Sequence, residues 1–126
     1  MDGQVKQTTI KAQTDMAQGL DWNRAGVLAE LAGDQELLQE LIQLFVDSST
    51  ADLGELTEAL AQGDCEQAGS AAHSVKGAAA SLSIKAIRDA ALAVELACHD
   101  GKVEVARNRT VPLAGLLERF RETVGR

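Results

Sequence analysis

Aromatic residues are nearly missing from this chain of 126 residues, which has no tyrosine, one tryptophan and two phenylalanines. Strands favour aromatic and β-branched side chains, so this scarcity argues against a sheet. Proline occurs once, as Pro112, and leaves long stretches free to be helical. Cysteine occurs twice, as Cys65 and Cys98, without C-x-x-C spacing. A helical core of this size needs no bridge, so both are read as reduced, packed thiols. Positive charge is outweighed: 12 Lys and Arg face 19 Asp and Glu, for a formal charge of −7. That balance argues against a nucleic-acid partner and against anionic membrane surfaces. No apolar run nears the ~18 residues of a membrane span, and the N-terminus lacks the hydrophobic region of a secretory signal. A cytoplasmic location is expected. What the chain does have is Ala, Leu, Glu and Gln, residues that favour helices, with 45% hydrophobic residues to build a core.

Residues 1–19 are polar, aperiodic and rich in Gln, Thr and Lys, and read as a disordered lead or linker. Residues 20–126 read as one domain. Asp21 is a plausible N-cap for a short helix over Trp22–Ala32, with Gly33 ending it. Asp34 caps a long helix over Gln35–Gln62, whose Leu38, Leu41, Ile42, Phe45, Leu53, Leu56 and Leu60 make one stripe. Asp64 caps a third helix, Cys65–Leu82, with Ala68, Ala72, Val75, Ala79 and Leu82 facing inward. A fourth, Ile84–His99, buries Ile84, Ile87, Ala91, Val94 and Cys98 and ends at Asp100-Gly101. The fifth, Lys102–Val124, must kink at Pro112 or begin again there. Short connections make neighbours antiparallel. The expectation is all-α: an up-down-up-down four-helix bundle with a short additional N-terminal helix.

The stretch Ala72-His73-Ser74-Val75-Lys76-Gly77-Ala78-Ala79 carries the chemistry. Positions i, i+3 and i+4 share a helix face, so His73, Lys76 and Gly77 project together, while Val75 points about 200° away. With Val75 in the core, His73 faces water. An exposed imidazole is a nucleophile, and Lys76 offers a charge-assisted donor to a phosphoryl oxygen. Glycine inside a helix costs about 1 kcal/mol relative to alanine. Gly77, on the His73 face, reads as clearance for a bulky partner. Gly69, four residues before His73, suits either clearance or close helix packing. His99, in a last helical turn, reads as a surface residue complementing the helix dipole. A metal site from His73, Glu95, Cys98 and His99 is disfavoured, since only Glu95 and His99 have ligand spacing. Hydrolysis or acyl transfer is disfavoured too: Ser74 points about 100° from His73, and the pattern offers no cleft.

The octet Ala72–Ala79 resembles the signature A-H-x-L-K-G-[SA]-[SA] of histidine-containing phosphotransfer (Hpt) domains of bacterial phosphorelays. Gly33-Asp34-Gln35-Glu36-Leu37-Leu38, followed by Phe45, resembles that family's lead-in to its long second helix. Ala90 to Gly101, with Leu92, Glu95 and the Asp-Gly end, resembles its fourth. The likeness spans residues 21–120. It implies that His73 takes the phosphoryl group, that Lys76 neutralises it, and that Gly77 admits the incoming receiver domain. Glu95 matches a position that often carries Glu or Gln beside the histidine, and would orient the ring through the N–H that is not phosphorylated. The implied partners are response-regulator receiver domains and a (hybrid) histidine kinase. The chain itself would carry no cofactor, with Mg²⁺ expected on the receiver, and would be a monomeric carrier without turnover of its own. A chemotaxis-type kinase's phosphoacceptor domain and a non-transferring scaffold are the competing readings. The docking face is expected to draw on exposed apolar residues of the first and second helices. Two departures stand out: Ser83 replaces the glycine usual at the turn after the motif, and Val75 replaces the commoner leucine.

Overall fold

The structure, a computed structural model, describes residues 19–125. The disordered lead expected over residues 1–19 lies outside the described residues except for Gly19. Helix α1 spans Arg24–Glu30, α2 Gln35–Ala61, α3 Cys65–Ser81, α4 Lys85–His99 and α5 Val103–Val124. Among the described residues there is no strand, and one isolated bridge joins Trp22 to Ile84. Helix α2 packs on α3, α3 on α4, α4 on α5, and α5 returns to α2. The connections at 62–64, 82–84 and 100–102 are too short for anything but antiparallel neighbours. The bundle is the all-α architecture expected, with α1 laid against α2.

The inward stripes are those of the sequence. Leu38, Ile42, Phe45, Leu56 and Leu60 of α2 meet Ala68, Ala72, Val75 and Ala79 of α3, and Ile87, Ala91, Val94 and Cys98 of α4 close the core. Each fully buried leucine or isoleucine contributes roughly 1.5–3 kcal/mol of transfer free energy. Helix α3 brings alanines where α2 brings leucines, which lets large side chains of one helix fill the space left by small ones of the other. The chain's three aromatic residues converge: Phe120 stands edge-on to Trp22 at 4.8 Å and to Phe45 at 5.1 Å between ring centroids. They pin the N-terminal segment, α2 and α5 together.

Two details at the N-terminal end differ from expectation. The N-cap of α1 is Asn23, whose Oδ1 accepts from the Gly26 amide at 2.9 Å. Asp21 instead takes a left-handed conformation, φ 50°, and leaves α1 two residues shorter at its start than expected. Its carbonyl and that of Leu20 accept the Lys85 and Ala86 amides, at 3.4 and 3.2 Å. Helix α4 has no capping side chain, so this segment satisfies donors that its first turn would leave unpaired. Trp22 adds Nε1–H to the Leu82 carbonyl at 3.0 Å. At its other end α1 closes on Ala32, φ 57°, one residue before the expected Gly33.

The turn between α3 and α4 shows what the missing glycine requires. Ser83 adopts φ 58°, the Ile84 amide reaches back to the Ala79 carbonyl at 2.9 Å and the Ser83 amide to Ala80 at 3.1 Å. This is the usual left-handed helix ending, made here by a residue with a Cβ. The equivalent places after α2 and α4 hold Gly63 and Gly101. Helix α5 runs unbroken through Pro112, so it does not begin again there.

Candidate functional site

The inner and outer faces of α3 part as the spacing requires. Ala72, Val75 and Ala79 are fully buried, which turns His73 outward with 66% of its side chain exposed. Gly77 lies one turn further along the same exposed face. A Cβ built on Gly77 meets nothing within 4 Å, so no neighbouring helix explains the absence of a side chain. Gly69 differs: its Cβ would stand 3.3 Å from Cβ of Cys98. Gly69 therefore serves close approach of α3 and α4, the packing alternative of the two its sequence left open.

Glu95 of α4 joins the group. Nδ1 of His73 lies 2.8 Å from Glu95 Oε2, and Nζ of Lys76 lies 2.7 Å from Glu95 Oε1. The carboxylate thus bridges the two side chains that the sequence had placed on one face. The Lys76 contact is an ion contact, and it is the one partner of the otherwise secluded Oε1 among the described residues. Partial burial pushes the Glu95 carboxyl up, but Lys76 and His73 outweigh it and hold the group below the ordinary carboxylate value. An ionised carboxylate only accepts hydrogen bonds, so Nδ1 must carry the proton. That tautomer leaves the Nε2 lone pair as the free nucleophilic position of the neutral ring.

The neighbours on the other flank are occupied. Ser74 Oγ donates to Asp52 Oδ2 at 2.6 Å, a link between α3 and α2 that keeps the hydroxyl away from the imidazole. Nothing in the sequence pattern signalled this pair, because the two residues are brought abreast only by the antiparallel packing. His99 is exposed at the end of α4. Among the described residues no three His, Cys, Asp or Glu side chains are grouped to hold a metal ion. A cleft of ≈ 1020 Å³ lies at the end of the bundle between α1 and the α3–α4 turn, and His73 does not line it.

The site is thus an exposed imidazole on an all-α bundle, with a cation and bare backbone beside it. The fold is similar to the X-ray structure of a protein from rice described as a histidine-containing phosphotransfer protein. The TM-score is 0.61 and the identity 20%, over 96% of this chain and 95% of that one; at such identity the likeness concerns the fold. The family model of the Hpt domain matches residues 40–123, and the chain belongs to that family. No curated protein matches it. The chain is accordingly a phosphorelay intermediate. Hpt domains are phosphocarriers that work with receiver domains and kinases. No described helix is long and apolar enough to cross a membrane.

Proposed function

We propose that His73 is the phosphoryl-accepting residue, that it takes the group from an aspartyl phosphate of one receiver domain, and that it passes it to another. The observation that supports this reading is the Glu95 bridge, which presents Nε2 to solvent while holding Nδ1–H and Lys76 at 2.8 and 2.7 Å. In the forward step the Nε2 lone pair attacks phosphorus in line. The P–O bond to the aspartyl oxygen breaks as the N–P bond forms, and the aspartate leaves as a carboxylate. The ring keeps its Nδ1 proton and gains positive charge, which the Glu95 carboxylate balances. Lys76 stands one helical turn from His73, within reach of a phosphoryl oxygen after a rotamer change. The reverse step uses the same groups in the opposite order.

This chain's part is positioning, by a nucleophile fixed on a rigid helix. Its acidic residues do not gather into a cation pocket among those described, and Mg²⁺ fits the receiver's side of the complex. A carrier with no turnover of its own, acting as a monomer in the cytoplasm, is the corresponding biochemical picture. The test is labelling by a phosphorylated receiver. His73→Gln should abolish acid-labile labelling and leave helical circular dichroism unchanged; undiminished labelling of that variant would overturn the assignment.

A further inference from the structure

Single exposed leucines are ordinary on a protein surface, but two adjacent ones on one helix face make an apolar patch. Helix α4 buries Ile87, Ala91, Val94 and Cys98, yet Leu92 and Leu96 stand outside that stripe with 38% and 51% of their surface exposed. They are four residues apart and therefore adjacent on one face. They also flank Glu95, each within about one helical turn, ~5.4 Å along the axis, and Glu95 touches both His73 and Lys76. The other large exposed apolar residues lie further away. Asp52 is abreast of Ser74, so Leu44 on α2 is displaced from the His73 level by eight residues, about 12 Å of helix. Leu37 is further still, and Val111 belongs to α5, which packs on α4 and α2.

We propose that Leu92 and Leu96 form one wall of the surface on which a receiver domain docks, so that the docking face extends onto α4. The inference rests on His73 being the phosphoryl acceptor. A partner that brings an aspartyl phosphate to Nε2 must centre on His73, and a standard interface covers about 800 Å² per partner, a disc of roughly 16 Å radius. Both leucines fall inside that disc. The Glu95 carboxylate between the leucines and the ring is matched by Lys76 in the free chain, so covering it leaves no lone carboxylate at that point. The receiver that fits is one with an apolar patch beside its phosphorylated aspartate, and burial of two leucines against it supplies the kind of anchor that dominates interface energetics.

The experiment uses the full chain in three forms: wild type, Leu92→Asp with Leu96→Asp, and Val111→Asp as an exposed apolar control. Each is labelled by phosphoramidate, a donor too small to need docking, and by a purified phosphorylated receiver domain. The expected result is unchanged phosphoramidate labelling throughout, with transfer from the receiver at subsaturating concentration lowered at least about tenfold in the leucine variant alone. A milder pair, Leu92→Ser with Leu96→Ser, should show the same order. Wild-type transfer by the leucine variants, or an equal fall in Val111→Asp, would overturn the wall. Failure of phosphoramidate to label His73 in the wild type would instead overturn the acceptor assignment beneath it.

Discussion

Gly69 and Gly77 lie four residues before and four after His73 on one helix, yet their surroundings differ. A side chain at Gly69 would press on Cys98 at 3.3 Å, whereas a side chain at Gly77 would enter open space. The first glycine brings two helices of this chain close together. The second meets nothing within 4 Å among the described residues, which is what the proposed approach of a receiver to His73 requires. One residue type on one helix thus stands in two settings, packed on one flank of the histidine and open on the other.

Substitution separates the two. Gly77→Leu should lower transfer from a phosphorylated receiver by about tenfold or more, since hot-spot positions at an interface centre cost upward of 1–2 kcal/mol. Its thermal midpoint should stay level or rise, because helix propensity improves by up to about 1 kcal/mol; phosphoramidate labelling should persist. Unaltered transfer would remove the clearance argument. Gly69→Leu should do the reverse, costing stability by roughly 1–3 kcal/mol through overpacking against α4. A domain of this size would then melt several degrees lower, while the molecules that remain folded still accept phosphate. A Gly69→Leu protein as stable as wild type would show that the seam is looser than the 3.3 Å approach implies.

A smaller effect lies at the far end of α3. Ser83→Gly relieves a left-handed φ of 58°, and should raise the unfolding free energy by about 1 kcal/mol without changing transfer. Denaturant titration of both proteins is the measurement, and equal midpoints would mean that the turn carries no strain. The smallest effect belongs to the Glu95 bridge. Its carboxyl is held below the ordinary value of 4.5 in the folded chain. The resulting stabilisation is complete above the unfolded value and disappears as pH falls through the lower folded one. Glu95→Gln should therefore flatten the part of the acid-unfolding profile below about pH 4.5, and a superimposable profile would remove the linkage.

Much of this is legible in the sequence. Helix ends at Asp34, Asp64, Gly63 and Gly101 follow from capping chemistry that acts over a few residues, and they fall where expected. The start of α1 differs from the sequence expectation because two capping residues, Asp21 and Asn23, compete within three positions. Local pattern has no means of knowing that Asp21 is held by α4, sixty residues on. Leu92 and Leu96 were visible as leucines off the α4 stripe, but their place beside His73 depends on how far α4 slides along α3.

The amino-acid order alone determined that the chain is helical, which stripes turn inward, and that His73, Lys76 and Gly77 share an outward face. Those properties follow from a period of 3.6 residues and from the short reach of caps. Tertiary structure decided that Glu95 bridges His73 and Lys76, that Gly69 packs while Gly77 stays bare, and that Leu20 and Asp21 cap α4. Each of these joins residues far apart in the chain, and their distances are set by helix register, which only the packed core fixes.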